Sequence, residues 1–512
     1  MKKTFKLIGL GFILTLASCN GQESLEFSSI YYSSSEESSS SSSESSSSYS
    51  SSLSSSYSSS SSLADLINPT KVKVTNKDYN PSYSPCIGKQ NILVIPISLA
   101  GNTAYEWTDE LIQDVNGFFF KTSDTYVGDN LYWYYNSASQ GRLEIGGKVT
   151  SIYHSDYIRD QLYTDNADNN TKAILDIMCK AIDYASNEVN LDDYDSDDDG
   201  YIDSVHFIFD ETDGGVWDTT LWPQMEFANL ERGTKEKPQL NAYSSTNLGH
   251  FNSSRTAIHE QGHIFGLEDY YNYDSKTSDA DFLGHGDMQG LGYFDWNSFS
   301  KMTTGWADPY YVDGSKGPVT INLHPSATTN ECILVSNSWN ESAFDEYILI
   351  ELFSPLENNL ADWYPWGFIY NSLGNGGIRL YHVDARLWGF DEDLNDGEYI
   401  SSPKDNTHSN LQLGCNNSLN DTYEFPSPEV NKNYQLLDLI QATNVNTFAD
   451  PSTKSYLGKD DLFHTGDYFT LEKYGENFFY NKTTLDNGQQ FPFRIDFDSV
   501  TMNEATIRIS LI

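Results

Sequence analysis

The run His259-Glu260-Gln261-Gly262-His263-Ile264-Phe265-Gly266-Leu267-Glu268-Asp269 constrains this chain more than any other stretch, because it sets metal-ligating side chains at helical spacing. His259 and His263 are four apart, so on a helix both imidazoles project from one face, one turn apart, where a single zinc ion can be gripped by both. Glu260 stands beside the first histidine as a general base for a water that the metal polarises, not as a ligand. Gly266 adopts the left-handed conformation cheaply, ends the helix and lets the chain turn back so that Asp269 reaches the same ion. Three protein ligands and an open fourth position predict a catalytic zinc site rather than a structural one. The bare H-E-x-x-H pattern also arises by chance on amphipathic helices with two surface histidines, but Gly266 and Asp269 add two positions with mechanical roles. Another zinc arrangement takes its third ligand from a later glutamate. No Glu lies between Glu268 and Glu331, which leaves Asp281 or His285 as the alternatives to Asp269.

The N-terminus reads as a targeting segment. Lys2, Lys3 and Lys6 precede an apolar run, Leu7 to Leu16, that is short for a membrane span. Leu16-Ala17-Ser18-Cys19 then resembles a bacterial lipobox, in which Cys19 is lipidated and becomes the mature N-terminus; an ordinary secretory signal with an incidental Cys19 is the alternative. Residues 28 to 62 are almost all serine and cannot bury enough apolar surface to offset their ordering entropy, which predicts a disordered tether over 20–69. A coil of roughly 45 residues reaches on the order of 35 to 40 Å. The folded part is therefore expected to stand off the outer face of a bacterial membrane, on a lipid anchor.

Residues 70–311 are expected to form the zinc-binding domain. Asn91 to Ser98 reads as a buried strand, Asn116 to Tyr135 as a helix, Gly141 to Thr150 as a half-buried strand, and Asn170 to Ser186 as a helix whose Ala173, Ile174, Ile177, Met178 and Ala181 form an ordinary core stripe. Residues 312–512 change character. Short alternating runs (Val319 to Leu323, Cys332 to Ser336, Tyr347 to Phe353, Gly377 to Val383, Ala505 to Leu511) separated by Asn, Asp, Gly and Pro predict an all-β region, a sandwich or jelly roll. The fold class is thus α+β. Cys86, Cys179, Cys332 and Cys415 are too scattered to define a disulfide framework.

A second metal candidate precedes the strand Val205 to Phe209. Asp195, Asp197 and Asp199 alternate, Gly200 permits a sharp turn, the Tyr201 carbonyl takes the seventh place of an EF-hand-like loop and Asp203 the ninth. His206 stands where a full EF-hand has its bidentate glutamate, so the loop is truncated. Carboxylates this dense repel unless a cation neutralises them, and a structural Ca²⁺ is expected, with a solvated acidic turn as the alternative. The whole chain of 512 residues carries a net charge of −43, which disfavours nucleic acid or anionic lipid as the main partner and suits an extracellular, calcium-binding protein, with solubility alone as the alternative.

Several of these pieces together resemble the immune inhibitor A family of secreted bacterial zinc metallopeptidases. They are Asn136 to Ile145, the aspartate loop Asp195 to Asp203, His259 to Asp269, Met288, Lys301 to Trp306, Glu346 to Leu352, Gly377 to Val383 and Leu462 to Asp467, which span about residues 90 to 470. The resemblance implies a metzincin-like peptidase domain, Asp269 as third zinc ligand, and Met288 in a turn that gives the site a hydrophobic floor. Some metzincins place a transition-state tyrosine just after that methionine. Here Gln289 and Gly290 follow, and Tyr293 is the candidate. The activity implied is that of a monomeric endopeptidase acting on proteins or peptides. The rival reading is a calcium-stabilised surface adhesin or glycan-binding lipoprotein with a degenerate peptidase domain.

Overall fold

The computed structural model describes residues 69–512 except 77, 102–105, 121–129, 164–166, 212–220, 222, 250–253, 273–280, 361–372, 392–395, 405–406, 419–434, 449–455 and 479–483. The leader, Cys19 and the serine tether lie outside these residues. Both helices and strands are present, and the strands form several sheets.

The first sheet is built on β1 (Gly88–Ser98), an apolar run long enough to be covered on both faces, as a central parallel strand must be. Parallel β2 (Leu143–Val149) and β3 (Tyr153–His154) pair with one edge of β1, and β4 (Val205–Phe209) with the other. The sheet continues through parallel β6 (Ala242–Asn247) to antiparallel β5 (Gln224–Phe227) at its rim. Alternate side chains of β1 divide the core in two. Ile92 and Val94 join the cluster formed with α1 (Asp109–Phe120), α2 (Leu131–Ala138) and α4 (Ser254–Ile264), whereas Leu93, Ile95 and Ile97 pack with α3 (Ala167–Ala185). The expected single helix over 116–135 is two, α1 and α2, and Asn130 caps the second by accepting a hydrogen bond from the Trp133 N–H at 2.9 Å.

Four strands of a second sheet follow α5 (Ser298–Thr303): β7 (Tyr310–Val312), β9 (Ile333–Val335), β10 (Glu346–Phe353) and β11 (Gly377–Asp384), with β15 (Leu437–Leu439) added beyond β11. A four-stranded sheet comprises β8 (Val319–Leu323), β16 (Tyr468–Thr470), β17 (Phe493–Val500) and β18 (Ala505–Leu511), and its Ile321, Ile495 and Ile507 share one core with Ile348, Ile350 and Leu380 of the second sheet. A small antiparallel sheet of β12 (Leu387–Phe390), β13 (Glu398–Tyr399) and β14 (Asn410–Leu413) lies aside. This region is not wholly β, because an amphipathic helix, Leu471–Phe478, follows β16.

The boundary expected at residue 311 falls inside β7, and the described residues from 69 onward belong to one packed unit. Two polar ties explain the continuity. Asn76 donates to the Met302 and Thr303 carbonyls at 2.8 and 2.9 Å and accepts from the Ala343 N–H. Lys301, buried in α5, spans from Asp295 to Asn330 and the Ser326 carbonyl. The four described cysteines are free thiols. Among the described residues no helix is long and apolar enough to cross a membrane.

Candidate metal centre

The sequence of α4 explains both how it docks and what it displays. Ala257 and Ile258, with Phe265 just beyond, face the aromatic core around Trp296 and Trp306, and the opposite side carries His259 and His263. Gly262 lies against the Gln289 side chain, which donates to the His259 carbonyl; a Cβ at 262 would come within 2.2 Å of the Gln289 amide oxygen. The helix ends in a Schellman turn. Gly266, at φ +82°, donates to the His263 carbonyl, and Leu267 donates to the Gly262 carbonyl. A side chain at 266 would also strike Pro81, and Tyr83, two residues further on, donates its N–H to the Ile264 carbonyl.

This turn sets the ligands. Folding back brings the Leu267 carbonyl within 2.7 Å of His263 Nδ1, and the Met288 carbonyl lies 2.8 Å from His259 Nδ1. With both Nδ1 atoms donating to carbonyls, both Nε2 atoms keep their lone pairs and point to one place. Asp269 Oδ1 reaches that place. It is 2.9 Å from His259 Nε2 and 3.5 Å from His263 Nε2, and the two nitrogens are 3.3 Å apart. A tetrahedral zinc ion with bonds of about 2.0–2.1 Å spaces its ligand atoms about 3.3 Å apart, so this triangle matches one face of the coordination tetrahedron. Side chain and carbonyl divide the work at Met288: the side chain is fully buried with Ile258, Phe265, Trp296 and Trp306, and the carbonyl orients His259.

Glu260 is buried beside the triad. Desolvation raises its carboxyl pKa, and the adjacent His259 and His263 oppose that rise. The ring stacked on His259 is that of Tyr271, at 6.3 Å and 30°, a residue to which sequence spacing assigned no role. Tyr293 lies instead beneath the Arg255 guanidinium, 5.1 Å from its ring centre. The alternatives to Asp269 are engaged elsewhere. Asp281 accepts the N–H groups of Leu283, His285 and Leu291, and His285 packs on Tyr456.

Burial works to lower the pKa of His263, but Asp269 and Glu260 outweigh it and push it up to about 10. Asp269 shows the converse: burial would raise it, and the two histidines hold it well below the usual carboxylate range. Without metal, therefore, His263 is protonated at neutral pH and paired with Asp269. The histidine side of that pair contributes stability fully below the unfolded-state value of about 6.5 and loses it as pH rises through about 10. A metal ion bound at the three side chains would have to displace the proton, so the affinity for a divalent ion such as zinc is expected to rise about tenfold per pH unit through the neutral range, with one proton released on binding. Calorimetric heats that do not change between buffers of different ionisation enthalpy would contradict this.

In the aspartate loop, oxygens of Asp195, Asp197 and Asp199 gather within 4.8 Å of one another. Asp195 accepts the N–H groups of Asp199 and Gly200, and Asp203 closes the loop by accepting that of Ser196. Burial first, and the neighbouring carboxylates second, push Asp203 up to about 6. The Asp203 carboxylate is not part of the gathered group. The bridge to Gln239 uses the Gly200 carbonyl and the Ile202 N–H, on either side of Tyr201. Arg232 and Lys235 meet Asp199 and Asp198 from outside. His206 lies in β4, buried against Ser244, its pKa lowered to about 3 by burial, so the loop ends before a twelfth ligand.

No protein-family model matches the chain, and a search of curated proteins finds no match.

Proposed function

We propose that the chain is a zinc-dependent endopeptidase of the immune inhibitor A kind, displayed outside a bacterial cell on a lipid anchor and a serine-rich tether. The observation that carries the reading is the triangle of His259 Nε2, His263 Nε2 and Asp269 Oδ1, with the Glu260 carboxyl buried beside it. Zinc held there supplies Lewis acidity that brings the pKa of a water to about 7 and polarises a carbonyl. Glu260 takes the proton of the attacking water and returns it to the leaving amine. Its raised pKa suits both transfers, because a carboxylate in a dry site holds a proton more readily than one in water.

The rim of the first sheet suits a peptide substrate. β5 packs near α4 and, among the described residues, pairs on one side only, with β6. Its outer edge can take an extended chain as an added strand, which favours cleavage within a polypeptide. Calcium at Asp195, Asp197 and Asp199 would hold the loop that leads into β4.

Purified full-length protein should contain zinc and cleave denatured casein, and a strong chelator should abolish cleavage until zinc is restored. Chelator-insensitive cleavage, or zinc-loaded protein with no cleavage of any member of a peptide library, would remove the peptidase reading. Calcium should raise the Tm of the wild-type protein by several degrees and leave that of Asp197→Ala unchanged; equal shifts in both would remove the calcium site.

A further inference from the structure

We propose that Glu346, His382, Asp438 and Asp486 form a second divalent-cation site, separate from the zinc triad and suited to a first-row transition ion such as Zn²⁺ or Mn²⁺. The site is made by strand register. In the second sheet, where β10, β11 and β15 pair antiparallel, His382 of β11 lies opposite Ile348 of β10 and opposite Asp438 of β15, so the period of two puts Glu346, His382 and Asp438 on one face. The turn bounded by the Thr484–Gln490 bridge then covers that face, bringing the Asp486 carboxyl over it. Backbone N–H groups of Asp486 and Asn487 donate to the two oxygens of Glu346, at 2.5 and 2.7 Å, and hold the turn down.

His382 Nε2 is 2.9 Å from Glu346 Oε1, the same separation as between His259 and Asp269, and ligand atoms of Glu346, His382 and Asp486 all lie within 4.8 Å of one another. A second observation points to a ligand. Asp438 as a residue is only 6% exposed, and among the described residues its carboxyl receives no hydrogen bond, although it faces His382 and Asp486. Arg386 makes a two-pronged contact with Asp384, at 2.7 and 2.6 Å, and reaches Glu346 only at 3.6 Å, while the carboxylates of Glu346, Asp438 and Asp486 crowd one imidazole. Carboxylates gathered in a buried place repel, and a divalent cation among them offsets that repulsion. An imidazole nitrogen with carboxylate oxygens favours a transition ion over calcium, which takes six to eight oxygens.

The test counts metal in full-length protein purified in detergent, stripped with chelator, equilibrated with Zn²⁺ in excess Ca²⁺ and gel-filtered. Wild type should hold two zinc ions per chain, and Asp438→Asn, His382→Gln and His263→Ala one each. The double variant His263→Ala/Asp438→Asn should hold none. Asp438→Asn preserves shape and carries the test if His382→Gln does not fold. Cobalt absorption bands that persist in His263→Ala and vanish on adding Asp438→Asn would locate the ion independently. A zinc count unchanged by Asp438→Asn and His382→Gln would overturn the proposal, as would a single wild-type zinc lost in His263→Ala. A single wild-type zinc lost in Asp438→Asn but kept in His263→Ala would support it and sink the peptidase reading instead.

Discussion

Glu260→Gln is expected to keep its zinc and lose peptidase activity by on the order of 10³-fold in kcat, within the range usual for removing a general base. The two halves of this expectation rest on different atoms. Zinc retention rests on His259, His263 and Asp269, whose orientation comes from the Met288 and Leu267 carbonyls and from the turn at Gly266. None of these contacts involves the Glu260 carboxyl, and glutamine keeps its shape. Activity rests on the proton that a carboxylate accepts and an amide does not. The acid limb of the pH–rate profile should also disappear in the variant, since the wild-type limb reports a carboxyl whose pKa burial has raised. Metal analysis alongside casein and peptide assays separates the outcomes. A zinc-loaded variant that cleaves at the wild-type rate would take Glu260 out of the reaction, and a variant without zinc would make it a positioning residue.

The gathering of His259, His263 and Asp269 was legible because it depends on local rules. Helical spacing aligns His259 with His263, and Gly266 signals the cap that returns the chain to Asp269. Further along the chain, tertiary paths decide the contacts. That the Met288 carbonyl orients His259, or that Tyr271 rather than Tyr293 stacks on it, follows from where a loop passes and not from spacing. Strand β5 has no alternation to reveal it, since its position beside α4 comes from pairing with β6. Glu346, His382 and Asp438 lie on three strands, and only their register brings them together. In the C-terminal region the apolar runs marked most of the long strands, whereas the helix Leu471–Phe478 was hidden by its shortness and its central glycine.

Lys301→Met is expected to destabilise the whole chain by about 3–5 kcal/mol, the usual consequence of leaving one partner of a buried ion pair uncompensated. Lys301 has no solvent-exposed side-chain surface and its ammonium spends its three protons on Asp295 at 2.6 Å, Asn330 at 2.9 Å and the Ser326 carbonyl at 3.2 Å. Methionine fills a similar volume, so the loss is electrostatic. Asp295 keeps a hydrogen bond from the Asn358 amide but faces a dry pocket with no cation. Because Asp295 and Lys301 follow α4 while Ser326 and Asn330 lead into the second sheet, the cost falls on the joint between the two regions. Urea unfolding should therefore remain a single transition at a lower midpoint if they unfold together, and split in two if this tie is what couples them. Adding Asp295→Asn removes the stranded charge and should recover most of the loss. A single variant as stable as wild type, or a double variant no better than the single, would show that this buried pair does not hold the joint.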